Sequence, residues 1–113
     1  MEKRVFQLDT VDWKNVRPDL ATNIFGKRLF SSDESDLKFT LTRVEPNGEF
    51  KSHSDTYHHV FYFIEGTGIL FIADESYKIQ PGLVAHIPSG VEHSYKNLSG
   101  KKELFLLTCN IPP

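Results

Sequence analysis

A chain of 113 residues, 39% apolar and 25% charged, has the length and make-up of one ordinary globular domain. Thirteen Lys and Arg against fifteen Asp and Glu leave a net charge of −2, which argues against a nucleic-acid binder, and no apolar run approaches the ~18 residues of a membrane span. The one cysteine, Cys109, permits no internal disulfide, and Met1-Glu2-Lys3-Arg4 leads into a mixed segment rather than an apolar signal core, so a cytoplasmic protein is expected.

Val5-Phe6-Gln7-Leu8 reads as a short strand. Asp9 to Ala21 is polar and broken by Pro18, which predicts an irregular arm pinned to the body by Trp13 and Val16. Ile24 to Phe30 reads as a strand with a turn or bulge at Gly26, and Ser31 to Asp36 as a polar loop. Leu37 to Val44 alternates, with Leu37, Phe39 and Leu41 on one side and Lys38, Thr40 and Thr42 on the other, the pattern of a half-buried strand. Glu45-Pro46-Asn47-Gly48 is a turn signal. Further short strands follow between turn residues: one that holds the His53 cluster and continues through Val60–Ile64, then Ile69–Ala73, Tyr77–Ile79, Leu83–Ile87, His93–Asn97 and Glu103–Cys109. Regular short strands with intervening turns predict an all-β barrel or sandwich. Several of them are apolar on both faces, which predicts a second covering surface and hence a homodimer. The lysines are scattered and read as solvated surface groups.

One stretch concentrates chemistry. His53-Ser54-Asp55-Thr56-Tyr57-His58-His59 holds three imidazoles and a carboxylate in seven residues. These are ligand types for a divalent transition metal such as zinc, iron, manganese or nickel. Asp55 shares a face with His53 in an extended chain; it is either a direct ligand or an acceptor that orients an imidazole. A further imidazole, His93, follows Pro88-Ser89-Gly90. His58 should point away from His59, toward the surface or an interface. His86 and Tyr62 are the candidates for a catalytic role, His86 because its pKa lies near neutrality; the alternative is a rim or core position for each. Phe61, Phe63, Phe71 and Phe105 read mostly as core, some of them lining a pocket.

The spacing Gly82-x5-Pro88-x-Gly90-x2-His93-x3-Asn97 resembles the second sequence motif of the cupin superfamily at every defined position. His53-x-Asp55-x3-His59-x6-Gly66, closing on Tyr62-Phe63-Ile64-Glu65-Gly66, resembles the first. In that first motif Asp55 stands where the family has a histidine, and His59 where it has a glutamate. The usual inventory of three imidazoles and one carboxylate is preserved, with two positions exchanged. The resemblance covers residues 37–109. It implies a jelly-roll β-barrel with one metal near the open end, held by His53, Asp55, His59 and His93, in a single cupin domain over 1–113 whose first 36 residues form an arm and strands.

For function, the resemblance implies a metal-dependent enzyme acting on a small organic molecule, of isomerase, lyase or dioxygenase type. The alternative is a non-enzymatic module that binds or senses a sugar or effector. No nucleic-acid or membrane partner is expected.

Overall fold

The longest strand shapes the barrel. In the computed structural model, which describes residues 2–113, β3 runs from Lys38 to His53 without a break. Residues 45–48, whose composition is that of a turn, do not reverse the chain. They bend it, with Asn47 at φ +62°, a left-handed conformation that asparagine tolerates better than most residues. The bend lets one strand serve two walls. Lys38–Val44 pairs with β9 (Leu104–Ile111), while Glu49 to His53 pairs with β8 (His93–Asn97).

Around β3 the strands form one curled antiparallel sheet. The remaining strands are β1 (Lys14–Asn15), β2 (Ala21–Ser31), β4 (His58–Glu65), β5 (Gly68–Ile72), β6 (Glu75–Ile79) and β7 (Val84–Ile87). The order is β6-β5-β8-β3-β9-β4-β7, with β2 also on β3 and β1 on β2. This is an all-β jelly-roll barrel, without an α-helix among the described residues. Among the described residues no helix is long and apolar enough to cross a membrane.

Four cross-strand rungs define the interior of the β2-β3-β9-β4 wall. Two are Ile24-Val44-Leu104 and Gly26-Thr42-Leu106-Phe63; then come Arg28-Thr40-Thr108-Phe61 and Lys38-Asn110-His59. Side chains alternate in a strand, so all members of these rungs face inward. Of the two sides of the alternating Leu37–Val44 run, the polar one points into the barrel. The first two rungs, with Leu70, Ile79 and Ile87, form a sealed core in which Val44, Phe63, Ile79, Leu104 and Leu106 are fully buried. The last two rungs carry the polar residues and open onto a cavity.

Asn97, the last residue of the resembling motif, secures the bend in β3. It is 1% exposed, and its amide nitrogen lies 3.1 Å from the Val44 carbonyl, 3.2 Å from that of Glu45 and 2.8 Å from that of Lys102. Its Oδ1 accepts from the Ser99 N–H at 2.9 Å. The motif's asparagine is therefore a structural clamp on backbone groups that a buried bend would otherwise leave unpaired.

The N-terminal segment differs from its sequence expectation. Val5 to Gln7 form no strand, and Leu8–Thr10 is one 3-10 turn. The arm does pin where expected. Both Arg43 and Lys27 lie over the Trp13 ring, which tilts against Phe105, while Val16 packs on the core. Lys27, expected at the surface, is 8% exposed: its ammonium sits 4.8 Å above the Trp13 ring and donates to the Leu8 carbonyl. Gly26 is no bulge. The register shifts fall on either side of it, and a Cβ there would come within 2.8 Å of Thr40 Cγ2 and 3.0 Å of Val16 Cγ2. Its lack of a side chain is what lets the arm close in.

Candidate metal centre

Two loops distant in sequence build the site by clamping each other. The turn Pro88-Ser89-Gly90 donates the Gly90 N–H to the Asp55 carbonyl (2.8 Å), the Ser89 hydroxyl to the Thr56 carbonyl (2.7 Å) and the Ser89 N–H to His58 Nδ1 (2.8 Å). Gly90 takes φ +82°, which a glycine adopts at little cost. His58 is thereby occupied as an acceptor. It faces away from His59, as alternation predicts.

The single strand expected from the His53 cluster to Ile64 is divided: His53 ends β3, residues 54–57 form a loop, and β4 starts at His58. His53 pairs directly with His93 at the start of β8, their ring centroids 4.4 Å apart. His59, near the start of β4, turns its ring to within 4.9 Å of His93. Phe50 stacks on His53 at 4.5 Å. His59 and His93 are 6% and 3% exposed. The ligand atoms of His53, Asp55 and His93 lie within 4.8 Å of one another. Asp55 Oδ2 stands 3.1 Å from His53 Nε2, 2.8 Å from His59 Nε2 and 3.9 Å from His93 Nε2.

The hydrogen bonds on the far side of each ring decide what this cluster can hold. His53 Nδ1 is 2.8 Å from the Lys51 carbonyl and His93 Nδ1 is 2.9 Å from that of Val91. A carbonyl only accepts, so each Nδ1 carries a proton, and in its neutral form each ring presents a lone pair at Nε2. His59 lies between two oxygens, with Nδ1 2.9 Å from Asn110 Oδ1 and Nε2 2.8 Å from Asp55 Oδ2. Three Nε2 atoms surround Asp55 Oδ2; His53, Asp55 and His93 form the compact group, and His59 joins it through a 2.8 Å hydrogen bond to the carboxylate. That is a donor set for a cation, with each imidazole oriented by an outer acceptor as metal-ligating histidines usually are. The residues fit a metal ion of the kind three nitrogens and one oxygen prefer.

The electrostatics agree. Burial works to raise the Asp55 carboxyl, but the His59 hydrogen bond and the nearby His53, His59 and His93 outweigh it and hold it below its ordinary value. Burial pushes His93 down, so its ring favours the neutral, ligating form, and the bond to the Val91 carbonyl opposes this only in part. Arg17 closes the other side, 3.7 Å from Asp55 Oδ1 and bonded to Asp19.

The site opens on a cavity of about 440 Å3, a size suited to a small organic ligand. Phe50, Phe61, Tyr57 and Tyr95 supply its aromatic surface, and Thr40, Thr42, Thr108 and Asn110 supply polar groups. Burial raises the Tyr95 hydroxyl well above its usual range, so it stays protonated. Tyr62 and His86, the two catalytic candidates, lie elsewhere. Both are exposed on the outer face of β4 and β7, and neither lines the cavity. Phe71 is likewise 43% exposed rather than core. The reason is parity: Tyr62 and His86 are each one residue out of phase with inward-pointing neighbours on their strands, Phe61 and Ile87. Asn110, Arg17, Arg28 and Lys38 do reach the site or its cavity, and no local sequence signal singles them out. Pairing β4 with β9 is what reveals Asn110, by its register opposite His59.

The all-β jelly roll with a histidine–carboxylate group at its open end defines a class of barrel proteins that hold ligands inside. A family model of the cupin domain matches residues 40–109, and the chain belongs to the cupin family. Among solved structures it is similar to the polyketide cyclase RemF of Streptomyces resistomycificus: 28% identity, 100% of this chain and 83% of that one, TM-score 0.80. It is also similar in fold to a predicted oxalate decarboxylase of Thermotoga maritima, at 18% identity over 97% of this chain and 100% of that one, TM-score 0.84. KdgF of Halomonas sp. gives 18% identity over 97% and 96%, TM-score 0.79. A curated relative, an uncharacterized protein of Methanocaldococcus jannaschii, is 29% identical over 58 residues, 51% of this chain and 46% of its own. The match thus spans about half the length of that relative.

Proposed function

We propose that this chain is a metal-dependent enzyme that acts on a small organic molecule, with His53, Asp55, His59 and His93 holding one divalent transition metal in a mononuclear site. The observation that carries this reading is the gathering of three imidazole Nε2 atoms around Asp55 Oδ2, with every Nδ1 within hydrogen-bond distance of an outer oxygen. When bound, a metal there would polarise a carbonyl or lower the pKa of a water, chemistry suited to an isomerase, lyase or dioxygenase. The chain's own residues do the rest. Asn110 holds the His59 ring through Nδ1, Phe50 stacks on the His53 ring, and the aromatic wall keeps bulk water from a bound molecule. Similarity to a polyketide cyclase over the whole chain supports an enzyme rather than a storage role.

The second reading, a non-enzymatic module for a sugar or effector, draws on one observation. Beyond the four candidate ligands, the cavity lining holds no histidine and only one carboxylate, Asp12. We also propose one cytoplasmic cupin domain working as a homodimer. The outer face of β3, β9, β4 and β7 leaves Phe39, Tyr62, Val84 and Ile111 between 36% and 53% exposed, an apolar surface that a second copy would cover.

Elemental analysis of protein purified without a metal-binding tag or added metal tests the main reading. Near-stoichiometric transition metal is expected. Metal-free protein that also fails to take up zinc, manganese, iron or nickel would contradict it.

A further inference from the structure

Lys14, Arg17, Arg28 and Lys38 line the same cavity as the candidate ligands, against two lining carboxylates, Asp12 and Asp55. The whole chain is net negative, so this local excess of cations is a property of the cavity and not of the composition. Their partners separate them. Arg17 is engaged by Asp19 and Asp55. Among the described residues, Lys14, Arg28 and Lys38 form no ion pair. Arg28 is held only by its Nε, which donates to Thr40 Oγ1 at 2.9 Å and leaves the outer edge of the guanidinium free.

Register fixes where these charges stand. Lys38 lies across from Asn110, which lies across from His59; Arg28, Thr40, Thr108 and Phe61 form the next rung. Two strand spacings, about 10 Å, therefore separate the Lys38 and His59 backbones. Thr40 and Thr108 stand between Arg28 and Phe61 on their rung, and Phe50 and Tyr95 line the same cavity.

We propose that the ligand of this cavity is a flat, unsaturated or aromatic carboxylate. Its anionic end is held by Arg28 and Lys38, with Lys14 at the rim, and its ring or conjugated body lies against Phe50, Phe61 and Tyr95. Its other end then reaches the imidazoles. This rests on the proposed site above, but only for which end of the molecule reacts. The recognition itself uses residues outside the metal group. A guanidinium edge and an ammonium suit a carboxylate, and the aromatic surface suits a planar body.

The probes are 2-naphthoate and its neutral isostere 2-naphthamide, titrated calorimetrically into the purified protein, with metal content measured on the same samples. The naphthoate is expected to bind about tenfold tighter or more, the usual worth of a charged hydrogen-bonded pair. The preference should weaken with salt and largely vanish in the double variant Arg28→Gln, Lys38→Gln, which keeps its metal content and its naphthamide affinity. The single variant Lys14→Gln should lose a smaller part. Equal binding of the two probes, binding of neither at millimolar concentration, or a preference that survives the double substitution each overturns the proposal. Protein that takes up no zinc, manganese, iron or nickel yet still prefers the acid would sink the metal reading and leave this one standing. Metal-loaded protein without the preference would do the reverse.

Discussion

The two ends of the barrel interior are built on the same strands and differ in almost everything else. At the sealed end, Ile24, Val44, Leu104, Leu106 and Phe63 bury hydrocarbon against hydrocarbon. Further along the same strands, the inward positions hold Arg28, Thr40 and Thr108; the next hold Lys38, Asn110 and His59. The jelly roll can devote one end to a ligand because the other end supplies the stability. Substitutions at the two ends should therefore separate into those that unfold the chain and those that only empty the site.

The largest effect belongs to the sealed end. Phe63 is 0% exposed, and Phe63→Ala is expected to cost about 3–5 kcal/mol of stability, measured by urea unfolding. A cost below about 1 kcal/mol, the range of ordinary surface changes, would erase the distinction between the ends.

At the open end, His93→Ala should abolish competitive metal binding while the protein keeps its fold, read from the same denaturation curve in chelator. Asn110→Ala should act through His59 and weaken metal affinity by about 10–100-fold. If Asn110→Ala lowers stability as much as Phe63→Ala while metal affinity holds, the polar rungs are structural and the comparison fails.

Acid should sharpen the contrast. His93 and Asp55 are both held below their ordinary values of 6.5 and 3.8. Each binds its proton less readily in the fold than in the unfolded chain, so its contribution is complete above the ordinary value and lost as pH falls through the folded one. The metal-free protein should lose stability first below pH 6.5, through His93, and again below 3.8, through Asp55. His93→Gln should flatten the first step alone. Metal should leave over the upper range, because ligation needs the neutral ring.

The smallest effect is expected where the sequence points to catalysis. Tyr62→Phe and His86→Gln, both outside the cavity, should leave metal affinity within about twofold. A tenfold loss in either would mean that the outer face communicates with the site.

Much of this architecture is legible in the sequence. Strands β5 to β9 announce themselves through turn residues, and the spacing of His53, Asp55, His59 and His93 carries the resemblance, while the break between β3 and β4 falls inside the His53 cluster without a turn signal. What the sequence hides has physical causes. Alternation in Leu37–Val44 gives two faces but not which is inward, and here the polar one is, because the cavity needs it. Glu45-Pro46-Asn47-Gly48 has turn chemistry, yet Asn97 captures its carbonyls and holds it as a bend within one strand. Lys27 is buried by a tryptophan from an arm whose path no local pattern fixes. Lys38 and Arg28 look like surface charges in the sequence because only strand pairing places them over the cavity.

The central claim is that four side chains gather one metal at the open end. An anomalous difference map, collected at the metal's absorption edge from a crystal of the metal-loaded protein, tests it directly. The account predicts one peak per chain, about 2.0–2.2 Å from the Nε2 atoms of His53, His59 and His93 and in contact with Asp55. A peak elsewhere, or a His93 ring turned away from it, would contradict the account.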